Sequence, residues 1–69
     1  MNNLERLIEK AESKACRVMI CFDPLEEGEQ WGIKFYPHLS DDAHFYAYND
    51  DLDSAARQLL DELRGFTEW

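Results

Sequence analysis

The apolar residues of this chain keep one of two periods, and the order of those periods constrains the fold most. Leu4, Leu7, Ile8 and Ala11 follow the i, i+3, i+4, i+7 spacing of one helix face. Residues 16–22, 30–36 and 43–48 alternate instead, in runs rich in Val, Ile, Tyr, Phe and Trp, which predicts three strands. Leu52, Ala55, Ala56, Leu59, Leu60 and Leu63 return to helical spacing. The predicted order is α-β-β-β-α in one domain, residues 1–69.

Local signals bracket these elements. Asn2 or Asn3 can cap a first helix over residues 3–13, and Asp50 or Asp51 the last helix. Gly65 stands where a left-handed helix ending belongs, and Phe66 is then placed to fold back on the helix. Asp23-Pro24-Leu25-Glu26-Glu27-Gly28 reads as a loop in which Gly28 takes positive φ. Residues 37–42 form the next turn. Such short connections make the strands an antiparallel meander. The expected fold class is therefore α+β: a three-stranded antiparallel sheet with two helices packed on one face.

Strand parity separates the two faces. Val18, Ile20, Phe22, Trp31, Ile33, Phe35, Phe45 and Ala47 form the more apolar set, expected beneath the helices, with Trp31 in the core. Arg17, Met19, Cys21, Lys34, Tyr36, His44, Tyr46 and Tyr48 form the opposite face, partly open to water. Tyr36, Tyr46 and Tyr48 there are either good strand formers or an interface patch. Trp69, in the tail 67–69, is either a docked end or an anchor.

Size and composition exclude several classes. A chain of 69 residues buries roughly 60% of its unfolded surface, so a homodimer or a partner is open as a source of stability. With 45% hydrophobic residues it is too apolar for a disordered acidic tail. The longest apolar run, residues 18–22, falls far short of the ~18 residues of a membrane span, and residues 1–12 carry no apolar signal core. Cys16 and Cys21 are an odd step apart in a predicted strand, on opposite faces, and cannot bridge within it. Free thiols fit a reducing cytoplasm, the expected location.

Charge is the one functional pointer. The chain carries 15 acids and 7 bases, net −8. Residues 1–22 hold three acids and four bases, whereas residues 23–53 hold nine acids and one base, Lys34. In a meander the first strand–strand loop and the exit of the third strand share one end of the sheet. Asp23, Glu26, Glu27 and Glu29 should then gather with Asp50, Asp51 and Asp53, with no basic residue among the seven. One reading is that a basic partner surface compensates the mutual repulsion among them. The competing reading is structural, because Asp50, Asp51 and Asp53 suit a helix N-terminus and turn glutamates confer solubility.

No catalytic motif is found, and neither a cofactor nor a metal is implied. Cys16, Cys21, His38 and His44 lack zinc-ligand spacing. Asp51-Leu52-Asp53 lacks the glycine of a calcium loop, and the helical pattern runs straight through it. The expectation is a non-enzyme.

In topology the α-β-β-β-α order resembles the double-stranded-RNA-binding domain. That family offers a basic cluster where this chain has Asp51-Leu52-Asp53, so direct nucleic-acid binding is rejected. Over residues 16–65 the chain resembles antitoxins of the HicB type. The shared pattern is Glu26-Glu27-Gly28 before Trp31, then Pro37-His38-Leu39, then the acidic helix start from Asn49 to Ala55. The Gly-Cys that usually follows Pro-x-Leu is replaced by Ser40-Asp41. This resemblance implies neutralisation of a small basic RNase. In size, acidity and lack of catalytic motifs the chain is also similar to phage anti-CRISPR proteins that imitate DNA. That similarity implies an inhibitor of a CRISPR surveillance complex, acting on a basic nucleic-acid-binding protein or complex in the bacterial host.

Overall fold

The computed structural model describes residues 2–66; the tail 67–69, with Trp69, lies outside the described residues. The elements are α1 (Asn3–Ser13), β1 (Arg17–Phe22), β2 (Trp31–Tyr36), β3 (Phe45–Asn49) and α2 (Leu52–Leu63). The α-β-β-β-α order and the α+β class are as the apolar periods predict.

Both helices begin on side-chain caps. Asn2 Oδ1 accepts from Glu5 N at 2.8 Å. Asp51 Oδ2 accepts from Ser54 N and Oγ, each at 2.9 Å. Each cap satisfies an amide that the helix itself leaves without a partner. The ends differ from expectation. The left-handed ending belongs to α1, where Ala15 has φ 53. Cys16 N donates to Ala11 O at 2.9 Å and Ala15 N to Glu12 O at 3.2 Å, the bond pair of a Schellman ending. α2 instead continues right-handed through Arg64, and Gly65 is not in the left-handed region. Phe66 explains the exit: its ring packs 5.2 Å from Phe45 and 6.1 Å from Phe35, edge to face.

The strands form one antiparallel sheet in the order β1-β2-β3. Ile20 pairs with Ile33, and Ile33 with Ala47, so the predicted apolar parity forms continuous rows under the helices. Leu7 of α1 and Ala55, Ala56, Leu59 and Leu63 of α2 meet Ile33, Phe35 and Ala47 in the core. Among the described residues, no polar or charged residue is buried. Each large apolar side chain so enclosed contributes about 1.5–3 kcal/mol.

The helix layer does not cover β1 fully. Ile20 and Phe22 point to the helix side but remain 43% and 51% exposed. Trp31 is half-buried, its ring 4.6 Å from Phe22, and lies at the margin of the core instead of inside it. The cause is the alanine set: Ala47, Ala55 and Ala56 let α2 settle over β2 and β3, leaving the outer part of β1 beyond its reach. Residues 43 and 44 precede β3, with His44 N donating to Phe35 O at 3.0 Å. Cys16 belongs to the turn after α1, and both cysteines are free thiols.

Candidate partner-binding face

The loop between β1 and β2 is held by its own backbone. Asp23 N donates to Gln30 O at 2.7 Å, and Asp23 Oδ1 accepts from Leu25 N at 3.0 Å. Glu29 N donates to Glu26 O at 3.1 Å, and Gly28 takes the expected positive φ of 77. Gln30 Nε2 reaches Pro24 O at 3.4 Å. These bonds use main chain, the Asp23 carboxylate and the Gln30 amide, which leaves the glutamate side chains outside the turn's own network. Among the described residues, the side chains of Glu26, Glu27, Glu29 and Asp50 have no hydrogen-bond or ion-pair partner, and all four are exposed.

The register brings the expected elements to one end. Trp31 pairs with Asn49, so Asp50 leaves β3 beside the strand that Glu29 and Gln30 enter. Between this loop and the open face of the sheet lies a cleft of about 400 Å³. Asp23, Glu26 and Glu29 form one wall, and Lys34 and Tyr48 the other.

Three of the seven carboxylates have structural bonds: Asp23 within its own loop, and Asp51 and Asp53 at helix starts. Asp51 caps α2, as described. Asp53 Oδ1 accepts from Leu4 N at 3.1 Å and its Oδ2 from Asn3 Nδ2 at 2.9 Å. It therefore caps the first turn of α1 from a position 49 residues away, and the half-buried side chain ties the two helix starts together.

The tyrosines share a face but not a neighbourhood. Tyr48 lies over Gly32, where an added Cβ would stand 2.6 Å from its Cε1. Tyr46 pairs with Lys34 and donates its hydroxyl to Ala43 O at 3.1 Å. Tyr36 lies at the far end, with the Arg17 guanidinium 4.2 Å from its ring centre. The structure thus brings Tyr48 to the acidic loop and holds Tyr36 away from it.

Sequence reasoning did not assign Lys34, Cys21 or Gln30 to this site. Parity puts Lys34 and Cys21 on the open face, so the signal for those two was present. Gln30 acts through a bond to a loop carbonyl, which no pattern announces. Among the described residues no group of three His, Cys, Asp or Glu side chains is placed to hold a metal ion. Nor is any described helix long and apolar enough to cross a membrane. Comparison with known protein families, curated proteins and solved structures finds no match to the chain.

Proposed function

We propose that this chain is a non-catalytic inhibitor that acts by occupancy. Its acidic end engages the basic groove with which a larger protein or complex holds nucleic acid, taking the place of phosphates. The most specific form of the proposal is an anti-CRISPR DNA mimic acting on a CRISPR surveillance complex in the bacterial cytoplasm. The observation that carries it is the cleft in which Asp23, Glu26 and Glu29 face the ring of Tyr48. A partner's Arg or Lys entering there meets three carboxylates on one side and the Tyr48 ring beside Lys34 on the other, the acids outnumbering that one base. Glu27 and Asp50 extend the same surface, so recognition is fast, long-ranged and salt-sensitive.

The test is a tagged pull-down from bacterial lysate, washed at low and then at high salt. Recovery of a nucleic-acid-binding complex that salt elutes and DNA displaces supports the reading. The triple variant Glu26→Lys, Glu27→Lys and Asp50→Lys should abolish capture while leaving the fold intact, since none of the three caps a helix. Undiminished capture by that variant rejects mimicry. Recovery of a small basic RNase instead points to an antitoxin.

A further inference from the structure

β1 is an edge strand of the sheet, and no described strand is paired along its outer side. Asp23 N bonds to Gln30 O, so in the antiparallel ladder the odd-numbered residues of β1 bond to β2. The amides and carbonyls of Val18, Ile20 and Phe22 therefore point away from the sheet, and no described residue bonds to them. The strand interior, Val18-Met19-Ile20-Cys21-Phe22, has none of the lysines, prolines or inward charges that blunt a free edge. Met19, Ile20 and Phe22 are 43–51% exposed, on both faces.

We infer that this edge pairs with the β1 edge of a second copy, antiparallel about a twofold axis at Ile20, to make a continuous six-stranded sheet. Residues opposite each other in such a pair must share a face, which leaves few registers. In the register centred on Ile20, Val18 faces Phe22 of the second copy and Met19 faces Cys21 of the second copy. Arg17 faces Asp23 of the second copy, and the symmetry makes that ion pair twice. The outward groups of Val18, Ile20 and Phe22 all find partners.

Two further observations select this edge and this occupant. A mostly apolar groove of about 280 Å³ between α1 and β1 is lined by Ile8, Ala11, Cys16, Val18 and Ile20, with Glu12 at its margin. Phe22 of the second copy, opposite Val18, is the side chain placed to fill it. β1 also carries its basic end at Arg17 and its acidic end at Asp23, which is what antiparallel self-pairing needs. β3, the other edge, is flanked by Asp41 and Asp42 before it and by Asp50 and Asp51 after it, so pairing with itself opposes like charges. The twofold also sends the two acidic loops to opposite ends of the sheet. This inference shares Asp23 with the proposed function, but the charge-reversal variant above tells them apart, because none of its three positions lies on β1 or in the Arg17–Asp23 pair.

Equilibrium sedimentation of the full chain, from micromolar to millimolar, should give a mass rising from 8.2 kDa to twice that value. Ile20→Lys, at a half-exposed position, should weaken association by about tenfold or more. Arg17→Asp and Asp23→Arg should each weaken it roughly tenfold, and mixing the two variants should restore it, because the heterodimer regains both ion pairs. Should Asp23→Arg disturb its loop, a cross-link reads the register independently. In a Cys16→Ser background, Met19→Cys oxidised with glutathione disulfide should yield covalent dimers through Cys21 of the second copy. Adding Cys21→Ser should abolish them. A monomer at every concentration, a dimer indifferent to Ile20→Lys, or cross-links that survive Cys21→Ser would each overturn the inference.

Discussion

At the scale of single residues, Ala15 and Gly32 carry backbone or steric load that other side chains would relieve or aggravate. Ala15 adopts φ 53, a region that costs a residue with a Cβ about 1–2 kcal/mol. It does so because two main-chain bonds close the end of α1 around it, and His38 Nδ1 donates to its carbonyl at 3.1 Å in the tautomer that protonates Nδ1. Ala15→Gly should stabilise the protein by about 1 kcal/mol, part of the relief being offset by the freer unfolded chain. Thermal denaturation should show this as a rise in Tm of about 4–8 °C. Gly32 is the converse. A Cβ there meets Tyr48 Cε1 at 2.6 Å, Tyr48 Cδ1 at 2.8 Å and Cys21 Sγ at 2.9 Å. Gly32→Ala must displace the Tyr48 ring and should cost about 1–3 kcal/mol. In a Tyr48→Ala background the same change should cost much less. Additive effects in that urea-denaturation cycle would show that Tyr48 does not pack on Gly32.

At the scale of elements, the apolar periods made the five segments legible, since helix and strand differ in which neighbours share a face. Where a left-handed residue falls was not legible in Ala15, because alanine signals helix and only the closed turn forces it out. Nor was the exposure of Ile20 and Phe22: parity assigns a face but not whether a helix reaches that far across it. The site was legible as a set of acids at one end, because the meander and the register follow from short loops. Its internal division was not. Nothing in the sequence around Asp53 shows that it caps α1, since that bond depends on how the two helices dock. Asp53→Ala should therefore cost stability, about 1–2 kcal/mol for the lost cap, as should Asp51→Ala for its own helix. Both should leave capture of a basic partner nearly unchanged once the variants are compared as folded protein. A loss of capture without a loss of stability in Asp53→Ala would place that carboxylate at the interface.

At the scale of the whole molecule, the question is how far the unpaired acids feel one another. The molecule measures 33 × 28 × 18 Å. At 0.01 M ionic strength the screening length is about 30 Å, so every carboxylate repels every other across the fold; at 0.15 M it is about 8 Å, and only near neighbours remain coupled. The salt bridge from Arg64 to Asp61 is exposed and 3.6 Å long, so screening it removes little attraction. The caps at Asp51 and Asp53 are direct hydrogen bonds at 2.9–3.1 Å and are weakened much less by screening than repulsion at longer range. Repulsion should dominate the balance, and salt should stabilise this protein. Tm should rise between those two ionic strengths, and the rise should shrink in a Glu26→Gln, Glu27→Gln, Asp50→Asn variant that begins more stable. A Tm that falls with salt would mean that attractive pairs, not the crowded acidic end, govern the electrostatics. In a partner complex the sign reverses, because the same carboxylates then face cations and screening removes attraction. Opposite salt dependences of folding and of binding, both reduced by the same three substitutions, would tie the acidic end to a single cost and a single use.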